Sequence, residues 1–178
     1  KIDEKGGIVF EMERANREKM EIMTLEEISM LASSDYDMDD VLQSVVEKTA
    51  KRLGVDVSSI YLWDGKELVL RAATSFIKEA IGKVRLKLGE GVTGAAAEQG
   101  KPIYVRDVSN DPRYKKFSEL REKNYASMLS HPIIHKGELF GVLNVQTIAP
   151  KEFQEDEIYF VSVIANMLLG AIRIRKKV

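Results

Sequence analysis

The sequence predicts an α+β fold, an antiparallel sheet with long terminal helices on one face, and three observations point to it. Helical periodicity holds near the two ends of the chain, a period of two governs the middle, and turn dipeptides join neighbouring extended segments into hairpins. The order helix, helix, strands, short helices, strands, helix suits a sheet whose terminal helices cover one side.

Residues 1–13 carry several charges and the pair Gly6-Gly7 and sustain no period, so they read as linker or upstream remnant. From about Arg14 the chain turns helical. Met20, Met23, Leu25, Ile28, Leu31 and Ala32 spread over one broad side, and Thr24 with Glu27 offers a capping box that would divide the stretch in two. This gives an upstream helical arm or linker over 1–22 and a single domain over 23–178. A second helix is expected after Asp37, an N-cap residue, with Val41, Leu42, Val45, Val46, Thr49 and Leu53 on one stripe and Gly54 closing it.

The period then changes. Val57–Trp63 and Glu67–Thr74 are rich in β-branched and aromatic residues, and Asp64-Gly65 between them marks a hairpin. Val84, Leu86 and Leu88 alternate with Arg85 and Lys87 as a further short strand. A short helix from Val92 to Gln99 ends at Gly100, and Pro102–Val108 is extended. Residues 109–126 read as loop plus short helix. Ser127–His135 and Glu138–Gln146 form a second hairpin through Lys136-Gly137. The last helix runs from about Gln154 to Arg175, with Glu155, Asp156 and Glu157 at its start and Arg173, Arg175 and Lys176 at its end, as the helix dipole favours.

Composition narrows the function. The chain has 178 residues, 27 Lys and Arg against 28 Asp and Glu, 44% apolar residues, two histidines and no cysteine. That is enough apolar material for a core. The absence of cysteine removes disulfides, thiolate metal sites, iron–sulfur clusters and thiol nucleophiles, and fits a reducing, cytoplasmic setting. A formal charge of -1 is not the footprint of a nucleic-acid-binding domain. No apolar run approaches the roughly 20 residues that span a bilayer, so no membrane insertion is expected. The first residue is Lys1 and no signal-peptide pattern follows, so the sequence reads as a piece of a longer protein.

Gly89-Glu90-Gly91-Val92-Thr93-Gly94 matches the G-x-G-x-x-G string of dinucleotide-binding folds. The helix that follows has barely two turns before Gly100, too short for a βαβ crossover, so a structural glycine turn is the better reading. Gly100-Lys101 fails as a P-loop because Pro102 stands where Ser or Thr would hold magnesium. His131 and His135 are four strand positions apart, about 13 Å, and cannot share one ion. Asp107 and Asp111 read as turn-capping or surface residues, and no Gly-x-Ser-x-Gly elbow or His-Glu-x-x-His helix occurs. Catalysis, metal and haem are not expected.

An ordered set of segments carries a resemblance: Val57-Ser-Ser-Ile-Tyr-Leu-Trp, the run from Leu88 to Pro102, Val105-Arg-Asp-Val with Asp111-Pro-Arg-Tyr, Ser127-Met-Leu-Ser-His-Pro-Ile, and Gly137 to Gln146, followed by Phe153 and the closing helix. From about Met23 to Ile174 the chain resembles a GAF domain. Within the family it is most similar to the amino-terminal GAF domains of nitrogen-related phosphoenolpyruvate-protein phosphotransferases, with those of sensor histidine kinases, diguanylate cyclases and enhancer-binding activators as alternatives. The resemblance implies a sensory module with a small-molecule pocket under loops and short helices on the face away from the long helices. It also implies control of a covalently attached output domain, phosphotransferase or kinase-like. The alternative is a ligand-free dimerisation module, and an enzyme comes third. The Asn-Lys-x-Phe-Asp-Glu signature of cyclic-nucleotide-binding members is absent, and without cysteine no bilin can be linked covalently.

Strand alternation proposes the pocket. Ile60 and Leu62 share one phase and Ser59, Tyr61 and Trp63 the other. If the helix-covered face is the apolar one, Tyr61 points to the ligand side, as do Arg71 with Val69, and Asn144 and Gln146 with Val142. Tyr114, Phe117 and Tyr125 lie in the segment that would roof the site. His131 takes the place of the family's usual apolar residue before the proline and joins the candidates. Arg71, Asn144 and Gln146 suggest a small polar or anionic ligand. The last helix has two apolar seams, Ile158, Val161, Ala165, Leu168 and Ile172, and Phe160, Ile164, Met167, Ala171 and Ile174. One covers the sheet. The other needs either the 14–33 helix of the same chain or a second chain, and a homodimer through the terminal helices is expected.

Overall fold

The computed structural model describes residues 4–75, 78–114 and 125–176. Helices α1 (Glu4–Ala32) and α2 (Met38–Leu53) precede strands β1 (Val57–Trp63) and β2 (Leu68–Ala73). A 3₁₀ turn at Lys78–Ala80, the two-residue strand β3 (Arg85–Leu86), helix α3 (Gly91–Gln99) and strand β4 (Ile103–Val105) follow. After a second 3₁₀ turn at Val108–Asn110, strands β5 (Ser127–His135) and β6 (Glu138–Thr147) lead into α4 (Glu155–Lys176). All pairings are antiparallel, in the order β3-β2-β1-β6-β5-β4.

Residues directly opposite each other in an antiparallel pair share a face. Ile60, Ala72, Leu143, Leu129, Val145 and Ile133 therefore point one way, where α2, α4 and the second half of α1 cover them in one apolar cluster. At 25 cal/mol per Å2, each large side chain enclosed here contributes about 1.5–3 kcal/mol. Both seams of α4 pack into this cluster, Val161, Ala165, Leu168 and Ile172 buried together with Phe160, Ile164 and Ala171 and with Ile158 and Met167 at its edge, but Ile174 at the end of the second seam is exposed. The second partner of α4 is thus its own chain, through α1 and α2. By length and composition alone α4 is also long and apolar enough to cross a membrane, while its apolar residues pack here against the sheet, α1 and α2. Arg175 at its end donates to the carbonyls of Leu31, Ala32, Ser34 and Tyr36, satisfying groups that the end of α1 leaves open.

The start of the chain departs from the sequence reading. α1 is continuous from Glu4, with no linker over 4–13 and no break at Thr24, whose hydroxyl bonds the Met20 carbonyl within the helix. Residues 8–20 are exposed all round, so nothing selects a period there, whereas Thr24 and Ile28 pack on the domain. α2 behaves as expected, with Gly54 left-handed at φ 64° and its N–H bonded to the Ala50 carbonyl.

The hairpin turns follow their residues. Asp64 accepts from the backbone N–H groups of Lys66 and Glu67 and from Arg85, which hold its carboxyl down at about 2, the Glu67 bond contributing most. In the glycine-rich string, Gly89 and Gly91 have φ of 80° and 69°, and a Cβ on Gly94 would stand 2.6 Å from the Lys87 carbonyl oxygen. Each of these glycines has a backbone reason to be there, which supports the structural reading of the string.

Candidate functional site

The face away from the long helices is covered by α3, the Lys78–Ala80 turn and the segment around Val108–Tyr114. Its apolar residues form two clusters instead of one. Tyr61, Leu68, Leu70, Ala73, Ala80, Val84, Leu86, Ala97 and Val142 make the first, and Val92, Ala95, Ala96, Ile103, Val105, Val108 and Met128 the second, with Tyr114 packed against it. α3 contributes to both.

Between the clusters runs a polar row. Ser59 on β1, Asn144 on β6 and Ser130 on β5 are cross-strand neighbours, with Ala73 and Ile103 at the ends of the row. All three polar residues are at most 1% exposed. Ser130 Oγ donates to Asn144 Oδ1 at 2.6 Å, and Asn144 Nδ2 donates to Thr93 Oγ1 of α3 at 3.0 Å. The amide thus ties the sheet to the helix above it. Ser59 Oγ is the exception, buried and without a hydrogen-bond partner. Gln146, opposite Val57 and Met128, lies buried in the next row on the same face.

The sequence candidates divide. Tyr61, Asn144 and Gln146 stand on this face as the alternation requires, Tyr114 packs over it, and Tyr125 is buried just ahead of β5. Phe117 lies outside the described residues. Arg71 and His131 go elsewhere. A bulge between Ile60 and Tyr61 makes Arg71 the unpaired extra residue of β2, and its guanidinium reaches Asp39 of α2 at 2.6 Å, on the helical side. Val69, opposite Leu62, is on the helical side too, so the phase proposed for both is corrected, and with it the argument for an anionic ligand. His131 is opposite Leu143, in the phase that faces the helices, and burial pushes its imidazole pKa down. Ser59, Ser130 and Thr93 were not singled out from sequence, although Ser59 shares the phase of Tyr61.

Among the described residues, two carboxylates close to the lid are tied up locally. Arg113 grips Asp111 through two hydrogen bonds of 2.9 and 2.6 Å, which lowers the Asp111 carboxyl. Asp107 accepts from Ser109 and Asn110 and is also held low, chiefly by the Ser109 hydroxyl, in agreement with its turn-capping role. Among the described residues no group of three or more His, Asp or Glu side chains is placed to hold a metal. A separate groove of about 340 Å3 opens between α1 and the start of α4, lined by Phe10, Arg14, Arg17, Glu18, Glu21 and Asp156. There burial and then the nearby Asp156 raise the Glu21 carboxyl.

The GAF domain family model matches residues 37–172. The chain belongs to the GAF domain family. The GAF domain from a phosphoenolpyruvate-protein phosphotransferase (ptsP) from Coxiella burnetii is similar in structure, with a TM-score of 0.82 and 32% identity over 89% of this chain and 95% of that one. In sequence this GAF domain is similar to the Nif-specific regulatory protein of Azospirillum brasilense, 27% identical over 93% of the chain and 28% of that protein. It is similar also to the phosphoenolpyruvate-dependent phosphotransferase system protein of Escherichia coli, 27% identical over 81% of the chain and 20% of that protein. The chain spans less than a third of either relative's length, so those relatives carry the GAF region within larger proteins.

Proposed function

We propose that this GAF domain is a non-catalytic cytoplasmic sensor that binds a small molecule on the lid face and controls a covalently attached output domain, phosphotransferase or kinase-like. The observation that carries the reading is the buried polar row. Three uncharged hydrogen-bonding side chains, Ser59, Asn144 and Ser130, sit where apolar residues would pack at lower cost, and one of them, Ser59, has an open valence. Ligand pockets combine apolar walls with a few converging polar groups, and this face has that composition. The similarity to regulatory and phosphotransferase proteins supports the attached output. The reading needs no metal, haem or bilin. The domain works as a homodimer, through the outer face of α1, where Ile8, Met12, Ile22, Met23 and Met30 are exposed.

A thermal-shift screen of metabolites tests the sensor. A ligand at 100 times its dissociation constant adds about 2.7 kcal/mol, which raises the midpoint by about 5–10 °C for a domain of this size. At least one compound is expected to do so. A screen without a stabiliser leaves the runner-up, a structural dimerisation module, for which the exposed face of α1 is the supporting observation.

A further inference from the structure

The outer side of α1 sets two opposite charges in the middle of an apolar stripe. We infer that a second copy of this chain covers that side with its own α1 running antiparallel, the two-fold axis passing between Ile22 and Met23, so that Lys19 of each copy meets Glu26 of the other. This rests on the dimer proposed above and gives it a direction.

The helix itself defines the face. Ile28 is fully buried against the domain and Thr24 nearly so. At about 3.6 residues per turn, the side of α1 turned away from Ile28 is the line of Met12, Lys19 and Glu26. Ile8 and Ile22 flank that line on one side and Met23 on the other, and these three with Met12 are between 50% and 65% exposed. An apolar stripe on one side of an otherwise exposed helix is the pattern of a helix that packs on another. Lys19 and Glu26 stand within it, seven residues apart, about 10 Å along the axis. Neither has an ion-pair partner among the described residues, whereas their neighbours are engaged inside the chain, Arg14 with Glu18 at 3.2 Å and Glu27 with Lys48 at 2.6 Å.

Symmetry decides how the two charges can be used. In a closed dimer, a residue that touches another is touched by it in return. Parallel helices in register set every residue opposite its own copy, Lys19 on the partner's Lys19 and Glu26 on the partner's Glu26, which puts two repulsions inside an apolar seam. Antiparallel helices centred between Ile22 and Met23 set Lys19 on the partner's Glu26, and symmetry repeats the pair. The same setting brings Ile22 to the partner's Met23 at the axis and Ala15 level with the partner's Met30, so apolar contacts lie inside and outside the two ion pairs. About 20 residues of each helix overlap, about 30 Å. Because Ile28 points away from this face, the two domains lie on opposite sides of the helix pair and do not compete for it.

Sedimentation of the 178-residue chain near neutral pH tests the direction through exposed charges whose exchange leaves the core untouched. Lys19→Glu and Glu26→Lys, made singly, should each weaken the dimer about tenfold, since two attractions become two repulsions. The double variant Lys19→Glu/Glu26→Lys should return it to within about threefold of the parent. In a parallel dimer the single exchanges replace one like pair with another and weaken nothing. The chain has no cysteine, so Ala15→Cys and Met30→Cys give an independent reading: on mild oxidation each alone should stay uncrosslinked, and an equal mixture should form a covalent dimer. Rapid crosslinking of either variant to its own copy, single exchanges that leave the dimer unweakened, or a double variant as weak as the singles overturns the inference while the dimer stands. A parent that stays monomeric at high micromolar concentration removes both.

Discussion

On the helical side of the sheet, Ile60, Leu129, Leu143 and Val145 join three helices in one unbroken apolar cluster, whereas on the lid side the apolar residues are split in two by hydroxyls and an amide. The same strands make both faces, and neighbouring residues such as Leu143 and Asn144 serve opposite ones. The largest apolar cluster, and with it most of the hydrophobic stabilisation, lies on the helical face. Specific polar chemistry is kept on the face that short helices and loops cover, where a change of contacts costs the fold less.

The sharpest way to break this comparison is to empty the helical side. Ile164 is fully buried in α4, and Ile164→Ala should cost about 2–5 kcal/mol in urea unfolding. A loss below 1 kcal/mol would mean that the helical layer is not the main source of stability. A smaller effect is expected from Gly141→Ala. Gly141 is where β6 approaches β1 so closely that a Cβ would collide with the Tyr61 carbonyl oxygen, so the cost should be about 1–3 kcal/mol. Asn144→Ala on the lid face leaves Ser130 and Thr93 without their partner, for about 1–3 kcal/mol, and should also abolish the response to any stabiliser found by thermal shift.

A pH experiment sharpens the assignment of His131 to the helical side. Burial lowers its pKa from 6.5, so the unfolded chain takes up a proton before the folded one does. Its contribution is favourable above pH 6.5 and is lost as pH falls through 6.5 towards the lowered value. His131→Leu should flatten the decline of stability between about pH 7.5 and 5.5, measured by denaturant midpoints. An unchanged slope would place the imidazole in solvent. The smallest effect on folding is expected from Ile22→Lys, an exposed position on α1 whose change should alter stability by no more than about 0.5 kcal/mol. Sedimentation should show it converting a dimer to monomers, and a parent that is already monomeric at high micromolar concentration would remove the dimer from the account.

How much of this was legible depends on how much each residue's surroundings imprint on the sequence. Tyr61, Asn144 and Gln146 could be placed because β1 and β6 alternate without interruption across their own pairing. Arg71 could not, since β2 is buried on both faces, which weakens the alternation signal, and the bulge opposite Ile60 and Tyr61 reverses the phase at that residue. The first half of α1 left no period to read because no face of it is buried. Asn144 bonding to Thr93, 51 residues away in sequence, is a tertiary fact without a local signal. Ser59 showed its phase, but its open valence depends on what its neighbours bond to.

In the function proposed above, ligand recognition belongs to the lid face and support to the helical face. It is tested most directly by mapping amide shifts of the chain saturated with whichever metabolite raises its unfolding midpoint. The largest shifts are expected at Thr93, Ser130, Asn144 and Gln146, with Ile28, Ile164 and Leu168 little changed. Shifts concentrated on α1 and α4 with the polar row silent, or a screen that provides no metabolite to map, would contradict it.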